Sequence, residues 1–200
     1  DKTIVHSDDF AKGKLDLQWQ WNHNPVDEAW SLSERKGYLR LKTSRIAQNL
    51  FMAPNTLTNR MEGPTCEAVV KMDVSKMKEG DVAGFAAFQG DAALLSVVKE
   101  GNKTFVIGSK DDVAMTDKEH LVTDVKHQEV YRQLLKQKTV YLKISCDFRD
   151  HKDLATFSYS LDGKTWTKAV SDFKMNFDYR RLFMGTRFAI YNYATKNAGG

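Results

Sequence analysis

Along most of this chain apolar and polar residues alternate one for one, the period of strands whose successive side chains point to opposite faces. Residues 15–25 (LDLQWQWNHNP) carry the pattern plainly: Leu15, Leu17, Trp19 and Trp21 fall on one side, Asp16, Gln18, Gln20 and Asn22 on the other. Alternation with two leucines assigns both tryptophans to the core and the amides to the opposite face, with His23-Asn24-Pro25 as the turn at the sheet's end. Residues 29–32 and 37–43 read as short strands joined by Ser33-Glu34-Arg35-Lys36, with Leu39 and Leu41 inward and Tyr38, Arg40 and Lys42 outward. Residues 44–54 are irregular and read as a loop. Strands follow over 56–61 and 65–73, separated by Glu62-Gly63-Pro64, and 75–79 fits one helical turn. Small residues over 81–89 predict a central strand with close neighbours. Turns at Gly90-Asp91 and Gly101-Asn102 bound an apolar strand over 92–99 and lead into another at 104–108. The stretch 111–138, without Pro or Gly, stays open: 129–136 has some helical period, and a strand over 130–135 fits equally.

The last third is clearer. Val140, Leu142, Ile144, Cys146 and Phe148 alternate with Tyr141, Lys143, Ser145 and Asp147, and residues 155–161 alternate likewise. Asp162-Gly163 is the strongest hairpin signal, and a two-residue turn there sets Tyr159 across from Trp166. A long strand closes the pattern at 183–193. About a dozen short strands with almost no helix define an all-β fold, a two-sheet antiparallel sandwich or a barrel. No repeat of about 20–50 residues occurs, which argues against a propeller or solenoid.

Composition narrows the class. With 200 residues, 42% of them hydrophobic and 11% aromatic, the chain can bury one sizeable core as a single domain over 1–200. The net charge of +4 comes from 30 basic and 26 acidic residues mixed along the chain, with no basic block, which argues against a nucleic-acid partner. No run of about 18 apolar residues exists to span a membrane. The opening Asp1-Lys2-Thr3 is no signal peptide, and the close at Ala198-Gly199-Gly200 favours a domain cut from a longer chain. Cys66 and Cys146 each sit on the apolar face of an expected strand, so two buried thiols are expected in preference to a disulfide.

Recognised catalytic motifs are absent. No Cys-x-x-Cys, His-Glu-x-x-His or Gly-x-Ser-x-Gly occurs, and the five histidines are scattered, most among charged residues in expected turns. His23 is kept because it lies in the tryptophan stretch. The Glu-x-Asp-x-x-Glu pattern of some sandwich hydrolases fails at Glu79-Gly80-Asp81-Val82-Ala83-Gly84, which lacks the last carboxylate. Asp8 and Asp9 offer too few oxygens for a structural Ca²⁺, so no cofactor or metal is assigned. What remains is a polar sheet face. It comprises Gln18, Gln20 and Asn22, then Tyr38 and Arg40, then Thr56, Thr58 and Arg60, and on the last strand Gly185, Arg187, Ala189, Tyr191 and Tyr193. Amide, guanidinium and phenol groups hydrogen-bond sugar hydroxyls and stack on pyranose rings. They also solvate an ordinary sheet or build a domain interface, and the sequence leaves these readings open.

Several strings share their order with one family: Ser7-Asp8-Asp9-Phe10, LQWQWNHNP at 17–25, Trp30-Ser31-Leu32, Gly37-Tyr38-Leu39-Arg40-Leu41, NTLTNR at 55–60, Gly63-Pro64, YSLDGKTW at 159–166 and FMGTRFAIYNYATK at 183–196. The chain resembles the C-terminal concanavalin A-like β-sandwich of family 43 glycoside hydrolases, of the β-xylosidase and α-L-arabinofuranosidase type. The resemblance implies a jelly-roll-like sandwich packed on a five-bladed catalytic propeller in the same parent chain. All three catalytic carboxylates would then lie on the propeller, and this chain would be inactive alone. It further implies action on plant hemicellulose, with xylan or arabinoxylan oligosaccharides as ligands, in a secreted or periplasmic setting. A loop of the sandwich narrows the active-site pocket in some members, and the candidate here is Asp178-Tyr179-Arg180-Arg181. The family continues past Gly199-Gly200 with one more short strand, so the domain is expected to lack its last strand. The alternative is an autonomous carbohydrate-binding module using the polar sheet face.

Overall fold

The computed structural model describes residues 6–88, 91–116, 122–175 and 185–200. In chain order the strands are β1 (Gln20–Trp21), β2 (Trp30–Ser31), β3 (Arg40–Leu41), β4 (Leu57–Arg60), β5 (Thr65–Asp73), β6 (Asp81–Phe88), β7 (Ala92–Glu100), β8 (Lys103–Met115), β9 (Val122–Leu135), β10 (Thr139–Asp147), β11 (Leu154–Ser160), β12 (Trp166–Lys174) and β13 (Arg187–Ala194). A seven-stranded sheet runs β1-β4-β13-β6-β7-β8-β9, a four-stranded sheet runs β12-β11-β10-β5, and β2 and β3 make a small ribbon. Every strand pair is antiparallel. Among the described residues, helix is confined to 3₁₀ turns at Asp27–Ala29, Leu50–Met52 and Arg149–His151, and none is long and apolar enough to cross a membrane. The expected all-β sandwich is the observed fold.

The main core lies between the two large sheets. Val140, Leu142, Ile144 and Cys146 of β10 and Ala155, Phe157 and Tyr159 of β11 face Phe85, Leu95, Val97 and Val106 of the larger sheet. Phe85 stacks on Phe188 of β13 at 5.5 Å. β6 and β7 are buried on both faces, because Ala47, Leu50 and Ala53 of the 44–54 segment cover Ala86, Phe88 and Leu94 on the outer side. That second cover explains the small residues of 81–89: a strand packed on both faces reads as continuous apolar sequence.

Three expectations change and one open stretch is settled. The tryptophan stretch is mostly turn, with only Gln20–Trp21 in a strand, because the Trp19 amide closes a turn on the Asp16 carbonyl at 3.1 Å. Leu17 is fully exposed. Both tryptophans are half-buried outside the main core: the Trp19 indole N–H donates to Asp8 Oδ2 at 2.7 Å, and Trp21 packs on Trp30 at 5.3 Å. The other Asp8 oxygen accepts the Phe10 amide, and Asp9 accepts that of Ala11, so both carboxylates organise this local corner.

Residues 129–136 are strand, and the apparent helical period has a geometric cause. The register shifts between Gly108↔Tyr131 and Ser109↔Glu129, leaving Val130 as an extra bulged residue. The bulge puts Glu129 and Arg132, three apart, on the same face, as a helix would. Next, residues 75–79 form turns, with Met77 buried between them and no helix. Finally, the hairpin after β11 is wider than two residues: Ser160 pairs with Trp166, and Tyr159 with Thr167. Asp162 Oδ1 accepts the Lys164 and Thr165 amides and the Ser160 hydroxyl, stabilising the longer turn. Tyr159 instead meets Tyr131 of the facing sheet, hydroxyl to hydroxyl at 2.9 Å.

Candidate functional site

Strand partners share a face, so the register places Gln20, Thr58, Ala189, Ala86, Leu94, Ser109 and Glu129 in one row across the outer face of the seven-stranded sheet. Beside it run Tyr191, Gly84, Ser96, Ile107 and Arg132. Gly84 is what lets these rows close. A Cβ there would lie 2.3 Å from the Leu95 carbonyl oxygen and 2.7 Å from the Tyr191 hydroxyl. In the space left, the fully buried Tyr191 phenol reaches Ser96 Oγ at 2.5 Å. Burial holds the Tyr191 hydroxyl well above the usual phenol range, so it stays protonated.

Over β7, β8 and β9 this face opens into a cleft of about 650 Å³, within the size range of small-ligand sites. One wall comes from Gln48, Asn49 and Phe51 of the 44–54 segment, where Asn49 Oδ1 caps the Leu50–Met52 turn and Phe51 packs on Phe88 at 5.2 Å. The floor holds Asp111, 2% exposed, whose Oδ1 sits 2.5 Å from Nδ1 of the half-exposed His127. This contact raises the imidazole above its ordinary pKa, favouring the protonated ring with its second nitrogen as a donor. Tyr193 lies alongside, its hydroxyl pushed up by burial and the nearby Asp111 charge. At the far end Arg132 holds two carboxylates, Glu129 through Nε at 2.6 Å and Glu100 through Nη1 at 2.8 Å, with its guanidinium over the Phe105 ring.

The cleft therefore offers amides, an imidazole–carboxylate pair, a phenol and an aromatic ring, the groups that recognise a polyhydroxylated ligand. A glycosidase acid needs a raised carboxyl pKa, whereas Arg132 pulls Glu129 down. Burial pushes Asp81 up, but that side chain is fully buried at the start of β6 and accepts the Lys78 amide. Among the described residues no three His, Cys, Asp or Glu side chains group as metal ligands.

The residues singled out by sequence divide into groups. Gln20, Arg60, Arg187 and Tyr191 do share the outer face. Thr58 Oγ1 links two of them, donating to the Gln20 carbonyl at 2.9 Å and accepting from buried Arg187 Nη1 at 3.1 Å. Desolvation and the Arg60 charge lower the pKa of Arg187. Gln18 lies in the turn before β1. The Asn22 amide donates to the Thr56 carbonyl and His23 Nε2 meets the Phe51 carbonyl at 3.0 Å, so these two tie the N-terminal segment to the cleft wall. Tyr38 and Arg40 belong to the separate β2–β3 region, under Arg35 at 3.8 Å and against Glu34 at 2.9 Å. Tyr179 and Arg180 lie outside the described residues. Asp111, His127 and Arg132 were not legible in the sequence because 111–138 has no clear strand period. His127, one of the scattered histidines, is exposed on β9; once that strand is recognised, His127 and Glu129 fall on one face.

A family model described as the beta xylosidase C-terminal concanavalin A-like domain matches residues 7–200. A beta-xylosidase of Formosa agariphila is 31% identical over 96% of this chain and 33% of its own length. The solved structure of a bifunctional GH43-CE protein of Bacteroides eggerthii superposes with a TM-score of 0.86 at 43% identity, covering 96% of this chain and 24% of that one. A second structure is of a GH43 glycoside hydrolase engineered to display endo-xylanase and exo-arabinofuranosidase activity. It has a TM-score of 0.86 at 29% identity and covers 100% of this chain and 40% of that one. The chain thus spans a third or less of the Formosa relative's length, and in these relatives the matching segment is one part of a longer chain. A sandwich of this topology, matched over almost its whole length, belongs to the C-terminal concanavalin A-like domain family of the β-xylosidases.

Proposed function

We propose that this chain is the non-catalytic accessory domain of a larger family 43 glycoside hydrolase acting on plant hemicellulose in a secreted or periplasmic setting. In this reading it packs on the catalytic propeller of the same polypeptide and helps shape the rim of its active site. The observation that carries it is a family match over residues 7–200 that occupies only a fraction of each longer relative. The depressed Glu129 supports it, since that carboxylate is tuned away from acid catalysis. The test compares the 200-residue chain with the natural polypeptide that contains it, on aryl xylosides and arabinofuranosides. Turnover is expected from the longer polypeptide only; turnover by the short chain refutes the assignment.

The cleft favours a second role for the same domain, contact with xylan or arabinoxylan oligosaccharides. Its volume, its Asp111–His127 pair and the Phe51 ring in its lining support this role. Calorimetry of the 200-residue chain with xylo-oligosaccharides should give binding heat that His127→Ala removes. Silence with every hemicellulose fragment eliminates the sugar-binding role and leaves the accessory role intact.

A further inference from the structure

Cys66 and Cys146 are 80 positions apart in sequence but directly opposed in the β5–β10 ladder. A directly opposed antiparallel pair has Cα atoms about 4.5 or 5.5 Å apart, and both values lie within the roughly 4.4–6.8 Å that a disulfide spans. Both side chains turn to the inner face of the four-stranded sheet. They differ in access. Cys146 is buried on a central strand, whereas Cys66 is half-buried on β5, the edge of its sheet. Both thiols are free, and Cys146 Sγ rests 3.6 Å from Met61 Sδ. Nothing in the accessory or sugar-contact roles uses them.

We propose that Cys66 and Cys146 form a dithiol–disulfide pair that closes a cross-strand bridge when the domain meets a low-molecular-weight disulfide such as glutathione disulfide. Cys66 is the entry thiol because it is the accessible one. Hydrogen bonding from Cys146 also favours its thiolate, while the same contact and burial hold Cys146 protonated. The Cys66 thiolate attacks one sulfur of the glutathione disulfide, whose S–S bond breaks and releases one glutathione thiolate. Cys146 then gives up its proton and attacks the Cys66 sulfur of the mixed disulfide, and the second glutathione thiolate leaves. Two protein thiols lose two electrons, the small disulfide gains them, and the two protons pass to the released thiolates. The bridge covalently ties edge strand β5 to β10, its one sheet neighbour among the described residues, and so holds that edge strand against fraying.

The experiment treats the folded chain with glutathione disulfide, alkylates what remains, and reads intact mass and the peptide map. The expected result is loss of both alkylatable thiols, a mass lower by two hydrogens, and one peptide pair joining Cys66 to Cys146. Cys146→Ser should instead stop at one glutathione bound to Cys66. Because that variant can fail to fold, the wild-type readout decides by itself. Two thiols still alkylatable after equilibration, glutathione retained on Cys66 without bridge formation, or bridges only between molecules each overturn the proposal.

Discussion

At Gly84 the missing side chain is what permits the buried Tyr191–Ser96 hydrogen bond, because the contacts a Cβ would make include the Leu95 carbonyl and the Ser96 backbone. Backbone atoms of a central strand cannot retreat as a flexible side chain does. Gly84→Ala should therefore destabilise by about 1–3 kcal/mol, read as a lower urea midpoint at unchanged slope. Tyr191→Phe, which loses only the hydroxyl and its partner, should cost about 1 kcal/mol. His127 makes a pH prediction. Its pKa in the folded chain lies above the ordinary 6.5 because Asp111 holds the proton. The stability it contributes is present in full below the unfolded value and fades as pH rises through the folded value. Wild type and His127→Gln should thus differ most in acid and converge in alkali. An NMR titration of His127 should move down on Asp111→Asn; no movement would show that Asp111 does not hold the proton.

At the scale of elements, the β11–β12 turn is organised by one carboxylate. Backbone amides of Thr165 and Lys164, with the Ser160 hydroxyl, depress Asp162 to about 2. A depressed carboxyl stabilises above its unfolded pKa and loses that contribution as pH falls through the folded one. Asp162→Ala should lower the melting temperature at neutral pH, with the gap from wild type narrowing between pH 3.8 and about 2. This turn shows why element boundaries were only partly legible. Asp162-Gly163 correctly marked a reversal, but side-chain acceptors widened the loop and moved Trp166 opposite Ser160. β9 was hidden for a different reason. As an edge strand it is exposed along most of its length, so no buried face imposed alternation, and the Val130 bulge replaced a period of two by a spacing of three. β10, enclosed by neighbours on both sides and alternating buried with half-buried residues, was read almost to its ends.

At the scale of the molecule, one core joins both large sheets. Phe157, fully buried between Ile144 and Val170 as its register partners, is near its centre. Phe157→Ala should cost about 3–5 kcal/mol. Near- and far-ultraviolet signals should still melt together, because the main core is shared between the two sheets. Separate transitions would show two independent folding units.

The stretch at residues 15–25 separates what sequence and structure each decide. Alternation, composition and motif order determined the all-β sandwich, the family and most core strands, since burying one face of a sheet enforces a local period that survives in one dimension. They did not determine where the tryptophans go. Trp19 and Trp21 left the main core for Asp8 and Trp30 because a turn at Asp16 breaks the alternation that seemed to bind them to Leu17. Nor did they reveal the cleft, whose Asp111, His127, Arg132 and Phe51 come from separate strands and a loop. Only the strand register, including one bulge and one glycine, brings those residues to one face, and register is a property of pairing between segments distant in sequence.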